Sequence, residues 1–424
     1  MNRQRLLGAT ALAVLAGIGG FLTAPVAIAE STAKDESVMS RPRPDYDPLG
    51  IPIGGDASDP GSPFILLPRL DTQFGWESNV FREESNPQDD FFVHSEASLN
   101  LRSDWELHSF GITARGALKR YFKKTKNDWE EAEILATGTL SISEEFSVSA
   151  RAGSGFFHEE RDDPDSPTAD NNVNEFWRHT GFLSASFTPG DLVFRAEGGA
   201  EVLNFLDNGG INNDDRDFTN YVARTRVGYT LLPGITAFVE PEYNWRIYDV
   251  GTDDNGFERN SEGWSVIGGV TYDLTGVAFL ELGGGYFEQS YDDPVFPESS
   301  GWTSTATLTW NPTEVMTVTG NVRRGVQETT LAGVSGVVAT STSLGIDYEI
   351  TEQLLLNSVA DFGWQDFKNS SREDEIFRGR AGLIYLVNEY IETGVSYEYA
   401  QRWSNAPTED FKMHRLLLTL SLQL

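Results

Sequence analysis

Residues 218–232 read FTNYVARTRVGYTLL, residues 235–249 read ITAFVEPEYNWRIYD, and Pro233-Gly234 joins the two stretches. In the first stretch, apolar or small residues alternate with polar or charged ones. One face carries Tyr221, Ala223, Thr225, Val227, Tyr229 and Leu231, and the other carries Asn220, Arg224, Arg226 and Gly228. A period of two indicates β-strands, and the two-residue connection predicts an antiparallel hairpin.

The same alternation continues from residue 64 to residue 424 in 18 segments, joined alternately by eight tight turns and nine longer, acidic loops. This order is typical of outer-membrane barrels, which have short turns at one end. In hydrocarbon every backbone polar group must be paired, and only helices or closed sheets achieve this. We therefore predict an all-β fold, a transmembrane up-and-down antiparallel β-barrel of about 18 strands. Pro241 cannot donate to a strand ladder, so a bulge is predicted there.

The tryptophans support this orientation. Eight of the ten lie near the long-loop ends of predicted strands: Trp76, Trp129, Trp177, Trp245, Trp264, Trp302, Trp364 and Trp403. Amphipathic aromatic side chains favour the membrane–water interface, so the pattern predicts an outer aromatic girdle. Tryptophans in the core of a soluble β-domain are the alternative. The predicted location is the cell outer membrane, with the tight turns and both termini in the periplasm.

The chain begins with the features of an export signal. Arg3 and Arg5 precede an apolar stretch, and the small-residue pattern that ends at Ala29 predicts cleavage before Glu30. The predicted organisation is a signal peptide over residues 1–29, a polar, proline-rich periplasmic linker over residues 30–63, and a barrel over residues 64–424.

Composition excludes several classes of protein. The chain of 424 residues has no cysteine, which excludes disulfides and thiolate sites, and its net charge of −32 disfavours nucleic-acid binding. None of the five histidines lies in a metalloprotease motif, and no nucleophile-elbow motif occurs. His158, followed by two glutamates, is a single weak candidate for a catalytic base. We expect no catalytic residues, no metal and no cofactor.

The polar face of the predicted strands identifies candidate lumen residues. The basic pore-lining candidates are Arg115, Lys119, Arg151, Arg195, Arg224, Arg226, Arg246, Arg323, Arg378 and Arg380. The acidic ones are Glu131, Glu133, Glu197, Glu240, Glu242 and Glu281. These charges form either a constriction that filters solutes or a wall that neutralises itself through cross-strand pairs.

Two predicted loops, 159–173 and 250–260, are dense in aspartate. Clustered carboxylates can hold calcium or bridge lipopolysaccharide phosphates through divalent ions. A solvated acidic loop is the alternative. Whether loop 159–173 folds into the lumen stays open at this point.

The last strand carries an apolar face that runs to the final residue: Leu416, Leu418, Leu420, Leu422 and Leu424. This ending resembles the recognition signal of outer-membrane barrel assembly, although Leu424 stands where phenylalanine is usual. The resemblance implies the barrel-assembly machinery as a partner, together with outer-membrane lipid and lipopolysaccharide.

Short motifs spread along the chain resemble those of the outer-membrane beta-barrel porins of the second type found in Gram-negative bacteria. They are residues 77–82 (ESNVFR), 246–249 (RIYD), 272–275 (YDLT), 310–313 (WNPT) and 402–405 (RWSN). The resemblance implies an outer-membrane channel that passes polar solutes or a secreted exopolysaccharide, with a periplasmic export partner in the second case. The alternative is a structural or surface-interaction barrel with a plugged lumen and no transport.

Overall fold

A computed structural model describes residues 37–54, 63–166, 172–274 and 276–424. The predicted cleavage site at Ala29 and Glu30 and residues 167–171 of the long acidic loop lie outside these ranges. The strands are β1 (Ile51–Ile53), β2 (Phe64–Glu77), β3 (Asp90–Ser103), β4 (Ser109–Tyr121), β5 (Trp129–Ser141), β6 (Phe146–His158), β7 (Glu175–Phe187), β8 (Leu192–Phe205), β9 (Phe218–Leu232), β10 (Ile235–Tyr248), β11 (Ser261–Leu274), β12 (Ala278–Tyr291), β13 (Ser299–Thr313), β14 (Met316–Gln327), β15 (Val337–Thr351), β16 (Leu354–Phe367), β17 (Glu373–Asn388), β18 (Ile391–Ser404) and β19 (Phe411–Gln423). Two short 3₁₀ turns, Thr125–Asn127 and Asp214–Arg216, lie in loops.

Strands β2 to β19 form one closed barrel. Each strand pairs antiparallel with the next, and β19 pairs with β2, so all 18 strands have two neighbours. The closing register places Arg415 opposite Glu77 and Gln423 opposite Arg69. The predicted up-and-down barrel is confirmed. Within the described residues, no helix is long and apolar enough to span a membrane.

Side chains alternate between the outer surface and the lumen along each strand. On β19 the even-numbered leucines face outward, with Leu416 48% and Leu418 56% exposed, whereas Arg415 and Leu417 face inward. On β9, Tyr221, Val227 and Tyr229 face outward, whereas the inward Arg224 and Arg226 are buried. The outer surface thus presents an apolar band for lipid, and the polar residues line the interior.

Two local expectations are wrong. The β9–β10 register is the same on both sides of Pro241, and the shift lies at Ile235 instead, so Pro241 makes no bulge.

Trp129 does not belong to the outer girdle. Its ring faces the lumen and stacks on His158, with ring centroids 4.2 Å apart. Trp129 shares its parity with Glu131 and Glu133 on the same strand, and both of these glutamates line the lumen.

The segment before the barrel also has a defined place. Strand β1 pairs with β2 at residues 64–66, just beyond the end of β19, which pairs with β2 only from Arg69 onward. Residues 37–49, which precede β1, lie inside the barrel at the short-turn end. The sequence predicts only an extended or disordered linker for residues 30–63 and does not reveal this docking.

Candidate functional site: the barrel lumen and its inserted segments

One charged cluster lines the wall formed by β8 to β12. Arg224 contacts Glu242 and lies 3.2 Å from the Glu197 carboxylate. Arg226 lies 2.5 Å from Glu240 and 2.8 Å from the carboxylate of Glu281. Neighbouring strands supply alternating charges at one height, so the side chains pair across the ladder.

A second cluster surrounds Glu77, whose side chain is fully buried next to the closing seam. Its carboxylate contacts Arg82, lies 2.9 Å from Arg415 and lies 3.4 Å from the Lys119 ammonium group. The Tyr121 hydroxyl donates to the same carboxylate at 3.2 Å. Three cations around one carboxylate hold β2, β4 and β19 together at the long-loop end.

The remaining candidates occupy other positions on the inner wall. Four of them form ion pairs: Arg115 lies 3.0 Å from Glu96 and 2.9 Å from Glu131, Glu133 lies 3.9 Å from Arg178, Arg246 contacts Glu328, and Arg378 contacts Asp162. The Arg151 guanidinium lies over the Phe182 ring. In the strand register, Arg195 lies opposite Arg226, Arg323 lies opposite Thr305 and Ser341, and Arg380 lies opposite Val359 and Glu398. Most of these charges are therefore neutralised within the wall. The His158 Nδ1–H donates a hydrogen bond to the Glu131 carboxylate at 2.8 Å, so His158 belongs to this wall network.

The loop after β6 crosses the lumen. Asp162 contacts Arg378 on β17, and its carbonyl oxygen accepts a hydrogen bond from Arg402 on β18 at 3.2 Å. The Asp165 carboxylate accepts a hydrogen bond from Thr329, in the loop between β14 and β15, at 2.9 Å. These partners lie on the far side of an 18-strand ring from β6, so residues 159–166 span the interior.

The root of this loop is also anchored. Glu159 is paired in a bidentate manner with Arg216 from the loop after β8. Arg161 donates to Asn127 at 2.8 Å and to the carbonyl oxygen of Lys126 at 3.1 Å. Contacts on four sides therefore fix residues 159–166, which we call the crossing loop.

Burial changes the acidity of the crossing loop. Burial and the nearby Glu159 carboxylate raise the pKa of Asp163 well above its ordinary value. Burial also raises the pKa of Asp165, although Arg216 opposes the shift. Glu160 behaves in the opposite way. Burial raises its pKa, but the pairing with His158 and the charges of Lys119 and Arg415 together outweigh burial and hold the pKa well below its ordinary value. The loop thus combines two carboxyls that gain protons easily with one that stays charged.

The second inserted segment lies at the short-turn end. The backbone N–H of Val38 donates to the Thr317 hydroxyl at 2.8 Å, and its fully buried side chain packs against Leu355 and Leu386. Arg43 is paired with Glu349 at 3.0 Å and also donates to the carbonyl oxygen of Val38. Residues 37–49, which we call the docked segment, thus follow the inner wall over β14 to β17.

Strand parity does not predict the positions of several residues that hold the lumen together. Asp162, Glu328 and Thr329 belong to loops, and no period predicts which distant arginine a loop will reach. Glu77 and Arg82 were visible only as part of the ESNVFR motif. The structure explains that motif, because Glu77 binds Arg82, and Asn79 donates to the carbonyl oxygens of Glu83 and Lys412 at 2.8 and 3.0 Å.

A closed 18-strand wall with an apolar outside, a charged inside and an inserted loop is the architecture of a porin-type barrel. The family model described as "Putative beta-barrel porin 2" matches residues 43–424. The chain belongs to this porin family. It is therefore a porin-like barrel of the outer membrane, and the predicted family and compartment are confirmed. The match begins within the docked segment, so the family region includes part of that segment as well as the barrel.

Solved structures show similar barrels at low identity. Pseudomonas aeruginosa OccK3 (OpdO) is 16% identical, with 85% of this chain and 96% of that chain covered and a TM-score of 0.42. P. aeruginosa OpdL is 13% identical, with 85% and 99% covered and a TM-score of 0.42. A ferric enterobactin receptor variant from the same organism is 8% identical, with 85% and 80% covered and a TM-score of 0.43. No curated protein matches the chain. Likeness at this level does not extend to function.

Proposed function

We propose that this protein is an outer-membrane channel for small polar solutes, in which the crossing loop narrows the passage. The observation that carries the proposal is the placement of residues 159–166 between opposite walls by Asp162 and Asp165. An 18-strand barrel is wide enough for water-filled passage, so an inserted loop sets the size limit.

The charges support passage of polar solutes with a preference for cations. Most wall arginines are already paired with glutamates, so their positive charge is largely neutralised. The chain as a whole carries 64 acidic and 32 basic residues. A net negative vestibule raises the local concentration of cations and lowers that of anions.

Single-channel recording from the refolded protein in a planar bilayer tests the proposal. A salt gradient across the bilayer gives a reversal potential, whose sign reports the selectivity. We expect a stable conductance with cation preference. A correctly folded, heat-modifiable barrel that gives no conductance would refute the proposal and favour the alternative, a structural or surface-interaction barrel with a plugged lumen.

The second candidate is passage of a secreted exopolysaccharide. It is supported by the fact that both obstructions, the crossing loop and the docked segment, are insertions and not part of the wall. Displacement of either segment would widen the path without breaking the strand ladder. Deletion of the gene followed by measurement of secreted polysaccharide separates this candidate from general diffusion, since only an exporter is required for secretion.

We further propose that the short-turn end and both termini face the periplasm, where an export partner could reach the docked segment. The outward leucines of β19 support contact with the barrel-assembly machinery and with outer-membrane lipid. The opposite end, with its long acidic loops, would contact lipopolysaccharide. Protease accessibility from outside intact cells tests this orientation, because cleavage in the loop at residues 207–217 should precede cleavage near residue 352.

A further inference from the structure

The lumen has one arc in which most inward side chains are uncharged, bounded by Arg323, which lies opposite Thr305, and by Asp361, which lies opposite Ser343. On β13 and β14 the inward side chains include Thr305, Thr307, Thr309, Thr319 and Asn321, and Ser343 extends the arc onto β15. The register places Thr307 opposite Asn321 and Asn321 opposite Ser343. Thr309 lies opposite Thr319 in the next row. We call these six residues the hydroxyl lane.

The side chains of the hydroxyl lane are half-buried or exposed on the lumen side. Thr319 and Asn321 are exposed, and Asn321 donates only a long hydrogen bond, of 3.4 Å, to Thr307. Within the described part of the chain, the hydroxyls of Thr309, Thr319 and Ser343 have no side-chain hydrogen-bond partner. Gly345 contributes by its small size, because a Cβ there would lie 2.3 Å from the Thr319 hydroxyl oxygen.

The contrast with the wall formed by β8 to β12 has a chemical consequence. In a wall of paired charges such as Arg226 and Glu240, the hydrogen-bonding groups are already bound to each other. Free hydroxyls and amides both donate and accept, and they carry no net charge. Such groups match the hydroxyls of a neutral sugar, and neighbouring strands repeat them at intervals of about 4.8 Å.

We propose that the hydroxyl lane is a transit site for neutral polyhydroxylated solutes, that is, sugars or short oligosaccharides. The inference rests on the proposed channel function and adds a solute class to it. The arc lacks an aromatic platform among these six residues, so each contact is weak. Weak and repeated contacts suit conduction, since a solute must enter the site and also leave it.

The position of the docked segment fits this assignment. Val38 binds Thr317, which lies next along the inward face of β14 from Thr319 toward the short-turn end. The docked segment therefore covers the short-turn end of the lane. Solute that follows the lane must pass this segment, whereas the charged wall at Arg224 and Arg226 lies away from it.

The test compares a lane variant with a matched control. The lane variant is Thr319→Val with Ser343→Ala, and the control is Thr137→Val with Ser184→Ala. Both pairs remove one threonine and one serine hydroxyl from the inner wall, but Thr137 and Ser184 lie on β5 and β7, outside the lane. All proteins are prepared as the full mature chain.

Two measurements use maltotriose as the probe. Its binding to the protein in detergent micelles is followed by saturation-transfer NMR, and its block of the open channel is followed in bilayers. Loss of two hydrogen bonds should weaken maltotriose binding and block by at least about threefold in the lane variant. The control should match the wild type. Block by a polyethylene glycol of similar size should be equal in all three proteins, because it reports size alone.

The outcomes distinguish failure of the sugar assignment from failure of the proposed channel. Equal maltotriose binding in the lane variant and in the control, or no binding to the wild type, overturns the sugar assignment. Absence of conductance overturns the proposed channel, and the micelle measurement still decides whether the lane binds sugar. A lane variant that misassembles is recognised because its band on a gel no longer shifts on heating. In that case Thr319→Val is compared with Thr319→Ser, which keeps the hydroxyl and should restore maltotriose binding.

Discussion

The Asp165 carboxylate accepts a hydrogen bond from the Thr329 hydroxyl at 2.9 Å, although the two residues belong to loops on opposite sides of the barrel. With the contact between Asp162 and Arg378, this bond defines the docked position of the crossing loop. The far end of the loop is therefore held by side-chain contacts whose removal leaves every strand pair intact, and this makes its position accessible to mutation.

Asp162→Asn combined with Thr329→Val should release the crossing loop. Breaking a buried ion pair costs about 3–5 kcal/mol, because the remaining Arg378 charge loses its partner. We expect larger and noisier single-channel currents than in the wild type. Asp254→Asn, a change at an exposed aspartate of another long loop, serves as the control and should leave the currents unchanged. Unaltered currents in the double variant would show that the loop does not limit the passage.

Val38→Asp should undock residues 37–49 from the short-turn end. The fully buried Val38 site offers apolar neighbours, Leu355 and Leu386, and an unpaired carboxylate there is strongly disfavoured. Hydrogen exchange over residues 37–49 should become fast, while exchange in β14 to β17 stays slow. Leu49→Asp, at a side chain that is 73% exposed, should keep slow exchange in the segment. Equal exchange in both variants would contradict the docking.

Glu77→Gln should destabilise the barrel at its closing seam. The change leaves Arg82, Lys119 and Arg415 around a neutral group, and loss of one partner from a buried ionic cluster costs about 3–5 kcal/mol. Urea unfolding in micelles, followed by tryptophan fluorescence, measures the loss. Glu130→Gln removes an exposed partner of Arg120 and should have no measurable effect, because exposed pairs contribute little. Similar midpoints for the two variants would be inconsistent with this role of Glu77.

Acidification should strengthen docking of the crossing loop. Burial raises the pKa of Asp163 and Asp165 in the docked loop, so the docked state binds protons at a higher pH than the released state does. As pH falls toward 3.8, the ordinary pKa of aspartate, protonation of the two carboxyls therefore favours the docked loop. At higher pH the buried negative charges destabilise the docked loop relative to the released one.

The measurement is mean conductance between pH 7.5 and pH 4.5, where we expect a fall on acidification. In the double variant Asp163→Asn with Asp165→Asn, the mean conductance should depend less on pH and should stay at the low value of the docked loop. Asp292→Asn, at an exposed loop carboxyl, should keep the wild-type profile. Glu160 opposes the effect only at lower pH, because its pairing with His158 holds its pKa well below the ordinary value. A conductance that rises on acidification would contradict the assignment.

Strand pairing was accessible from the sequence because side-chain direction in a strand depends only on parity. The predicted segments 90–103, 146–158 and 218–232 coincide with strands in the structure. Parity also explains the inward direction of Arg224 and Glu240. Trp129 has the same parity as Glu131 and Glu133, so parity places it in the lumen, whereas its position near a long-loop end alone suggests the girdle.

The inserted segments were not accessible in this way. The docked segment has no period, since it binds through the Val38 backbone, one apolar side chain and the Arg43 ion pair. The crossing loop reaches Arg378 over a sequence distance of 216 residues, and many other arginines could have served as well. Only the closed ring brings that partner within reach.

The pairing of Ile51–Ile53 with β2 bears on how the barrel protects its own edge. Strand β19 ends at Gln423, whereas β2 begins at Phe64, so several backbone groups of β2 extend beyond the last strand. Strand β1 covers them. A chain shortened to begin after Ile53 would present this stretch of β2 as a template for strand addition, either by a second barrel or by an extended peptide. The three-residue strand thus acts as a built-in guard against intermolecular strand pairing.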